Sequence, residues 1–419
     1  MTKAIICGAD FGQADFLYTM DELENLAHAC NLDVSSRVTQ KLDKPIAATY
    51  IGKGKAEEIS RLALANAASI LIINDELTPI QIRNLHQITK LDVIDRTELI
   101  LQIFASRAQS KEAKIQVQIA QLRVRLPRLH TDNNVKLDQQ TGGGGGSFNS
   151  RGAGETQLEK DRRVIGKKIS FLKKELKEIE AKQELTRKQR AKSSLKSVAL
   201  VGYTNAGKST TLNGLLALCQ QDDQKQVFEK DMLFATLDTS VRRINFKDHR
   251  DFLVSDTVGF VSHLPHQLVQ AFKTTLKEAA LADLLVQVVD VSDPNYPDMI
   301  KTTEDTLKEI GVTDIPMIYA FNKADKTELV FPEIIGDQIT YSARDEASIA
   351  KLVELIKQKL FADQKKAVFK IPFNQGKVLD ELNVKGHVLK IDYDAEGTLI
   401  SAEVSPSLYQ KFERFVLEA

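Results

Sequence analysis

Apolar and polar residues fall in blocks along this chain, and their period changes from block to block. Near the N-terminus "KAIICGAD", "SILIIND" and "LDVIDRT" are short apolar runs bounded by polar residues, the pattern of buried strands. Between them, Asp15 to Asn31 and "TPIQIRNLHQIT" read as helices, the second opening with Thr and Pro at cap and first-turn positions. This alternation predicts a small parallel sheet covered by helices. Next, Ile115, Ile119, Leu122, Leu126 and Leu129 recur at steps of four and three, and Ile165, Ile169, Leu172, Leu176 and Ile179 repeat those steps. These are narrow heptad seams. Two such helices joined by one loop predict an antiparallel hairpin, with Pro127 ending or bending the first.

From Leu195 the period changes again. "SVALVGY", "DFLVSDT", "LLVQVVDV", "PMIYAFNKAD" and "QITYSAR" read as strands separated by helical stretches. They predict a doubly wound sheet of about 170 residues. After Lys366, "GKVLDEL" looks helical, "HVLKIDYDAEGTLISAEV" looks like a hairpin turning at Asp394 to Gly397, and "SLYQKFERFV" like a closing helix. The expected layout is an N-terminal α/β subdomain at 1–106, a helical hairpin at 107–194, the doubly wound domain at 195–366 and a small α+β domain at 367–419.

Composition changes this picture in one respect. The 419 residues, 42% hydrophobic and 27% charged, are ordinary for a globular chain, and the formal net charge is zero. Yet Arg107 to Lys196 holds 22 Lys and Arg against 10 Asp and Glu. A basic segment inside a neutral protein is a local device for nucleic acid or an anionic membrane surface. No apolar run reaches membrane-spanning length, and the N-terminus lacks a signal-peptide pattern. The expectation is a cytoplasmic protein, with peripheral membrane association left open. Cys7, Cys30 and Cys219 form no metal or disulfide spacing and read as reduced thiols.

"GYTNAGKS" satisfies GxxxxGK[ST] between a strand and a helix. Gly202, Tyr203, Thr204, Asn205, Ala206 and Gly207 would curl their N–H groups around phosphates. Lys208 adds charge at the β and γ phosphates, Ser209 offers its hydroxyl to Mg²⁺, and Thr210 continues the motif. "DTVG" (Asp256, Thr257, Val258, Gly259) supplies a carboxylate for Mg²⁺ through water and a Gly259 amide for the γ phosphate. Between these lies "LFATLD" (Phe234, Ala235, Thr236, Leu237, Asp238), where Thr236 is the expected Mg²⁺-completing switch threonine and Thr239 the alternative.

"NKAD" (Asn322, Lys323, Ala324, Asp325) gives a carboxylate that accepts two hydrogen bonds from guanine; adenine offers neither donor. In "SAR" (Ser342, Ala343, Arg344) the Ala343 amide could reach guanine O6. Four motifs in order point to GTP binding. Phe260 stands where many GTPases carry a water-orienting Gln, so intrinsic hydrolysis should be slow unless another group positions water. Two readings of Asn205 stand side by side: its side chain helps hold K⁺ against the phosphates, or Asn tolerates a left-handed turn. "YIGKGKAEEI" likewise reads either as a phosphate-binding turn or as a plain turn into a helix.

With these motifs the chain resembles the HflX-family GTPases. The resemblance covers nearly the whole length and rests on "YIGKGKAEE", "RNLHQI", "VIDRTELILQIFASRAQSKEAKIQVQIAQL", "LPRL", "RGAGETQLEKDRR", "GYTNAGKST", "LFATLD", "DTVGFV", "NKAD" and "YSAR". It implies a P-loop GTPase domain flanked by the other three parts, binding to the large ribosomal subunit, and dissociation of stalled or idle 70S ribosomes under stress. It also implies that the hairpin loop approaches the peptidyl-transferase region. "LDTSVRR" departs from the family by lacking a Pro after the Asp, which weakens Thr239 as the switch residue.

The run "TGGGGGSFNSRGAGETQ" then reads as the tip of the hairpin. Gly142, Gly143 and Gly144 would allow close backbone approach to rRNA, while Arg151, Arg162 and Arg163 contact phosphates. A loop without RNA contact is the plainer alternative. The expected protein is monomeric off the ribosome, binds GTP with its switch segments ordered, and leaves after hydrolysis. Rival readings are a ribosome-assembly GTPase on immature large subunits, a nucleotide-gated regulatory module, and an ATP-driven RNA remodeller.

Overall fold

The computed structural model describes residues 2–140, 149–192, 195–219, 234, 240–246, 248, 250–257, 259–261, 279–394 and 396–418; the side chains of 130–140, 149–158, 183, 185–192, 240 and 418 are not described. The chain forms two compact units. The first comprises Met1–Gln189, Lys230–Asp238 and Gly259–Thr274, the second Arg190–Glu229, Thr239–Val258 and Thr275–Ala419.

Unit 1 begins with a four-stranded sheet of order β2-β1-β3-β4, made of β1 (Thr2–Asp10), β2 (Leu32–Lys41), β3 (Ile70–Ile73) and β4 (Asp92–Asp95), all parallel. Helices α1 (Phe16–Ala29), α2 (Lys53–Asn66), α3 (Pro79–Thr89) and α4 (Arg96–Arg107) connect and cover it. Ile5, Cys7, Leu71 and Ile73 form one core with Ile59, Ala63 and Leu85 of α2 and α3. Burial pushes the Cys7 thiol up to about 12, so it is an inert packing group. The predicted start of α3 carries a full capping box: Gln81 N–H donates to Thr78 Oγ1 and Thr78 N–H to Gln81 Oε1, at 3.3 and 2.9 Å. "YIGKGKAEEI" is a turn into α2, whose N-cap is Gly52.

A buried polar cluster braces this sheet. Arg96, at the start of α4, pairs with Glu22 of α1 and donates to Asn74 Oδ1 at 3.0 Å, and Asn74 in turn donates to Thr19 Oγ1 at 3.0 Å. Arg96 and Glu22 are only 3% and 5% exposed, a buried charge pair within a hydrogen-bonded cluster.

The two heptad segments form α5 (Lys111–Gln140) and α6 (Asn149–Lys192). Ile115, Ile119 and Leu172 are buried against each other, with Leu122, Ile169, Leu176 and Ile179 packed around them. Lys111 at the start of α5 pairs with Glu175 in α6, at 2.5 Å, as an antiparallel hairpin requires. Pro127 does not end the first helix: α5 runs through it.

Unit 2 holds a seven-stranded sheet of order β10-β11-β9-β8-β5-β7-β6. Strands β5 (Lys196–Val201), β7 (Phe252–Asp256), β8 (Leu284–Asp290), β9 (Met317–Asn322) and β11 (Gln338–Thr340) are parallel; β6 (Ser240–Ile244) and β10 (Glu333–Ile335) are antiparallel edges. Val198, Leu200, Val254, Val286, Val288 and Ile318 make the centre of its core. Helices α7 (Lys208–Leu218), α8 (Tyr296–Glu309) and α9 (Glu346–Leu360) connect the strands. Because β5 leads to β7 on one side and β8 lies on its other side, the order reverses at β5. Ligands bind such sheets beyond the C-terminal end at that point.

The C-terminal part is an antiparallel sheet of order β13-β14-β12-β15, from β12 (Lys365–Pro372), β13 (His387–Tyr393), β14 (Gly397–Val404) and β15 (Val416–Glu418). The predicted hairpin turns where expected: Asp394 N–H donates to Gly397 O at 3.0 Å. Helices α10 (Gly376–Lys385) and α11 (Pro406–Phe412) cover it, and "SLYQKFERFV" ends in β15 rather than continuing as helix.

Glu22→Ala should destabilise unit 1 by about 3–5 kcal/mol by removing a carboxylate partner of the buried Arg96. Adding Arg96→Leu should recover much of that loss. Hydrogen exchange at the β1 and β3 amides reads both.

Candidate functional site

The phosphate loop lies between the end of β5 at Val201 and the start of α7 at Lys208. Its path needs three left-handed residues, Gly202 at φ +143°, Asn205 at +61° and Gly207 at +97°. Packing also demands the two glycines. A Cβ on Gly202 would strike the Val288 carbonyl, and one on Gly207 would strike the Asn322 side-chain amide. Asn205 is exposed, in a conformation that Asn tolerates. Thr204 Oγ1 is buried without a hydrogen-bond partner among the described residues, a polar atom that a bound anion's oxygens could satisfy.

Lys208 is almost wholly buried, and its Nζ donates to the carbonyls of Gly202 at 3.1 Å and Tyr203 at 2.7 Å. Burial pushes its pKa down from 10.5 to about 8, with the Asp256 carboxylate opposing the shift. Ser209 Oγ donates to Asp256 Oδ2 at 2.7 Å, and Asp256 is fully buried at the end of β7. Thr257 Oγ1 donates to Leu200 O at 2.8 Å, which ties the end of β7 to β5. Two of the three expected Mg²⁺ residues thus meet, the third, Thr236, lying outside the described residues. A hydroxyl and a carboxylate are hard oxygen donors, and Mg²⁺ beside a nucleotide takes its remaining oxygens from phosphate and water, so the set fits that ion. Among the described residues no cluster of three or more His, Cys, Asp or Glu offers a separate metal site.

The guanine end is organised by Asn322, at the end of β9. Its Nδ2 donates to Ala206 O at 2.8 Å, and its Oδ1 accepts from Ala343 N–H at 2.9 Å. One side chain therefore joins the phosphate loop, "NKAD" and "SAR". The Ala343 amide, expected near guanine O6, is engaged in this bond. Lys323 turns to Asp290 at 2.6 Å, and Ala324 N–H donates to Tyr341 O at 3.2 Å. Asp325 is exposed and makes no ion pair among the described residues. Ser342 is buried, Thr210 is half-buried, and Arg344 is exposed, its amide donating to Ser342 Oγ at 3.4 Å.

Three further residues were not singled out by the sequence reading. Asp290 ends the buried strand β8 just as Asp256 ends β7, which was the available signal. Thr211 and Tyr341 share a buried hydrogen bond of 2.7 Å behind the phosphate loop, and nothing in their sequence spacing announces it.

Phe260, expected in place of a water-orienting Gln, is 2% exposed and belongs to unit 1. It is a packing residue. Phe234 is buried too, while Ala235, Thr236, Leu237, Asp238, Thr239 and Val258 lie outside the described residues. So do Gly142, Gly143 and Gly144, and the side chain of Arg151; Arg162 and Arg163 are exposed on α6.

A reversed strand order, a phosphate loop at the reversal and a guanine-type motif bonded to that loop define a P-loop GTPase. Three known families match consecutive stretches of the chain: GTP-binding GTPase N-terminal at residues 18–105, GTP-binding GTPase middle region at 107–190, and 50S ribosome-binding GTPase at 197–323. The GTPase HflX of Caldanaerobacter subterraneus subsp. tengcongensis is 40% identical over 95% of this chain and 90% of its own length. That of Escherichia coli is 36% identical over 90% of this chain and 87% of its own. A structure described as the crystal structure of SsGBP and GDP complex aligns at 25% identity over 86% of this chain and 99% of that one, with a TM-score of 0.48. The chain belongs to the HflX family of GTPases.

Two measurements test this geometry. Asn322→Ala leaves the Ala206 carbonyl and the Ala343 amide unpaired, at a cost of about 1–3 kcal/mol each. GDP and GTP affinity should fall together, by about tenfold or more, in a titration with fluorescent nucleotides. The second concerns pH. Bound phosphate restores the Lys208 ammonium, so binding takes up a proton above pH about 8. GDP affinity should be flat below that pH and weaken above it, by up to about tenfold per pH unit. Lys208→Gln should bind more weakly and lose the slope.

Proposed function

We propose that this chain is a nucleotide-gated GTPase that docks on the large ribosomal subunit and dissociates stalled or idle 70S ribosomes. The observation that carries this reading is the α5–α6 hairpin. Its apolar seam is used up in pairing the two helices, and exposed cations such as Arg162 and Arg163 remain outside. A surface of that charge suits rRNA phosphates. The match to a 50S ribosome-binding GTPase family supports the same partner.

In this reading the four parts act at 1–106, 107–194, 195–366 and 367–419. Lys208 and the loop amides hold the phosphates of GTP, and Asp325 accepts from guanine. Ser209, Thr236 and, through water, Asp256 hold Mg²⁺, which neutralises phosphate charge when bound. Thr236 and Gly259 sense the γ phosphate, and hydrolysis releases them and the ribosome. The chain works in the cytoplasm and is monomeric off the ribosome. The left-handed φ of Asn205 accounts for that residue without a cation. The K⁺ role stands only if turnover differs between KCl and NaCl at equal ionic strength.

Sedimentation with ribosomes in GTP, a non-hydrolysable analogue and GDP tests the proposal. Binding should require the triphosphate, and 70S particles should separate into subunits. Equal binding with GDP would overturn this reading. Preference for immature large subunits would replace it with the assembly one, and absence of GTP turnover with and without ribosomes would favour the regulatory one. Neutralising Arg162 and Arg163 together should weaken subunit binding and reduce the slope of log affinity against log salt by about one per lost phosphate contact.

A further inference from the structure

Asp290 ends β8 and pairs directly across from Asn322 at the end of β9. Its two carboxylate oxygens have separate tasks. Oδ1 accepts from the Ser292 amide at 3.1 Å and from Ser292 Oγ at 2.6 Å, which fixes the orientation of the group. Oδ2 accepts from Lys323 Nζ at 2.6 Å. Both side chains of this ion pair are 18% exposed, so solvent and salt screen it only in part.

Lys323 carries a strained backbone. Its φ is +63°, in the left-handed region where a residue with a Cβ is uncommon. Such a conformation persists only where its surroundings hold it. On one side Val291 N–H donates to Asn322 O at 3.0 Å, and on the other Ala324 N–H donates to Tyr341 O at 3.2 Å. Between these backbone bonds the Lys323 side chain is anchored on Asp290. The left-handed residue turns the chain out of β9 into a 3-10 turn, Ala324–Lys326, where Lys326 N–H donates to Lys323 O at 3.0 Å. Asp325 is the middle residue of that turn.

We propose that Asp290 is a positioning residue for guanine selectivity: by holding the Lys323 ammonium it keeps the left-handed turn that presents Asp325 to the base. The proposal rests on Asp325 being the acceptor for guanine. Asn322 joins this turn to the phosphate loop, and Asp290 sets the turn itself. Without the carboxylate, Lys323 relaxes towards negative φ and Asp325 loses its two-point match to N1–H and the 2-amino group. The phosphate loop, built on β5 and α7, is held as before.

The test is equilibrium binding of GDP, IDP and pyrophosphate to the nucleotide-free full chain with Mg²⁺. IDP lacks the 2-amino group, and pyrophosphate lacks the base and reads the phosphate loop alone. The unaltered chain should prefer GDP over IDP by about ten- to a hundredfold, the worth of a hydrogen bond to a charged group. Asp290→Ala should cut that preference by about fivefold or more, with pyrophosphate affinity unchanged. Asp290→Asn, which keeps the shape but not the charge, should retain part of the preference. Lys323→Met should lose as much as Asp290→Ala, and the double variant no more than the worse single, because both remove one contact. An unchanged preference in Asp290→Ala would overturn the proposal. So would pyrophosphate affinity falling in step, or losses that multiply in the double variant. Asp325→Ala separates the two claims. If it keeps the preference while Asp290→Ala lowers it, the Asp325 assignment fails and the turn serves guanine through another group. If it lowers the preference while Asp290→Ala keeps it, the Asp325 assignment stands and the role of Asp290 fails.

Discussion

The nucleotide site depends on one buried carboxamide. Asn322 donates a hydrogen bond to the phosphate loop at Ala206 O and accepts one from Ala343 N–H, so three separate segments share a single side chain. Gly207 has no side chain where that amide passes, and no other residue would leave the space. Each bond is worth only about 1 kcal/mol net, yet a buried donor or acceptor left unpaired costs more than the bond gave. The arrangement therefore tolerates no partial version. It also explains why the phosphate and guanine ends keep a fixed spacing although they come from residues more than a hundred positions apart.

A second division of labour appears in the hairpin. Coiled-coil seams are narrow, and here Ile115, Ile119 and Leu172, with Leu122, Ile169, Leu176 and Ile179 around them, pair two long helices. The outward face of α6 carries charge without disturbing that packing, while α5 also buries Ala113, Val117 and Ala120 beside its seam. The chain thereby concentrates its basic residues in one element while its total charge stays at zero. Local field, not net charge, is what a polyanion would meet.

Much of this was legible in the sequence because the signals were local. The phosphate loop, "DTVG", "NKAD", the heptads and the Thr78 capping box are short patterns with a direct physical cause. What escaped was set by tertiary context. β2, "LDVSSRVTQK", is an edge strand with polar residues along much of its length, so no apolar run marks it. α4 buries Leu99, Ile100, Leu101, Ile103 and Phe104, so its apolar residues go most of the way round and no stripe shows. β12 begins at Lys365 with two exposed lysines, where the reading had already placed a domain boundary. Pro127 carries a local penalty that predicts an end or a bend, yet α5 continues through it. The burial of Phe234 and Phe260 does not show in any local pattern, since it depends on tertiary packing.

Pro127 has a mechanical consequence. It has no N–H to give to the carbonyl one turn back, at Arg123, so the ladder of α5 lacks a rung there. The next residue, Arg128, is fastened to the carboxylates of Asp95 and Glu98. Stiffness thus drops beside a fixed anchor, as it does in a rod notched where it enters a clamp. A sideways force on the distal arm would be absorbed by flexure at the notch. The arm could then follow the contour of a large rigid surface while its root stayed still.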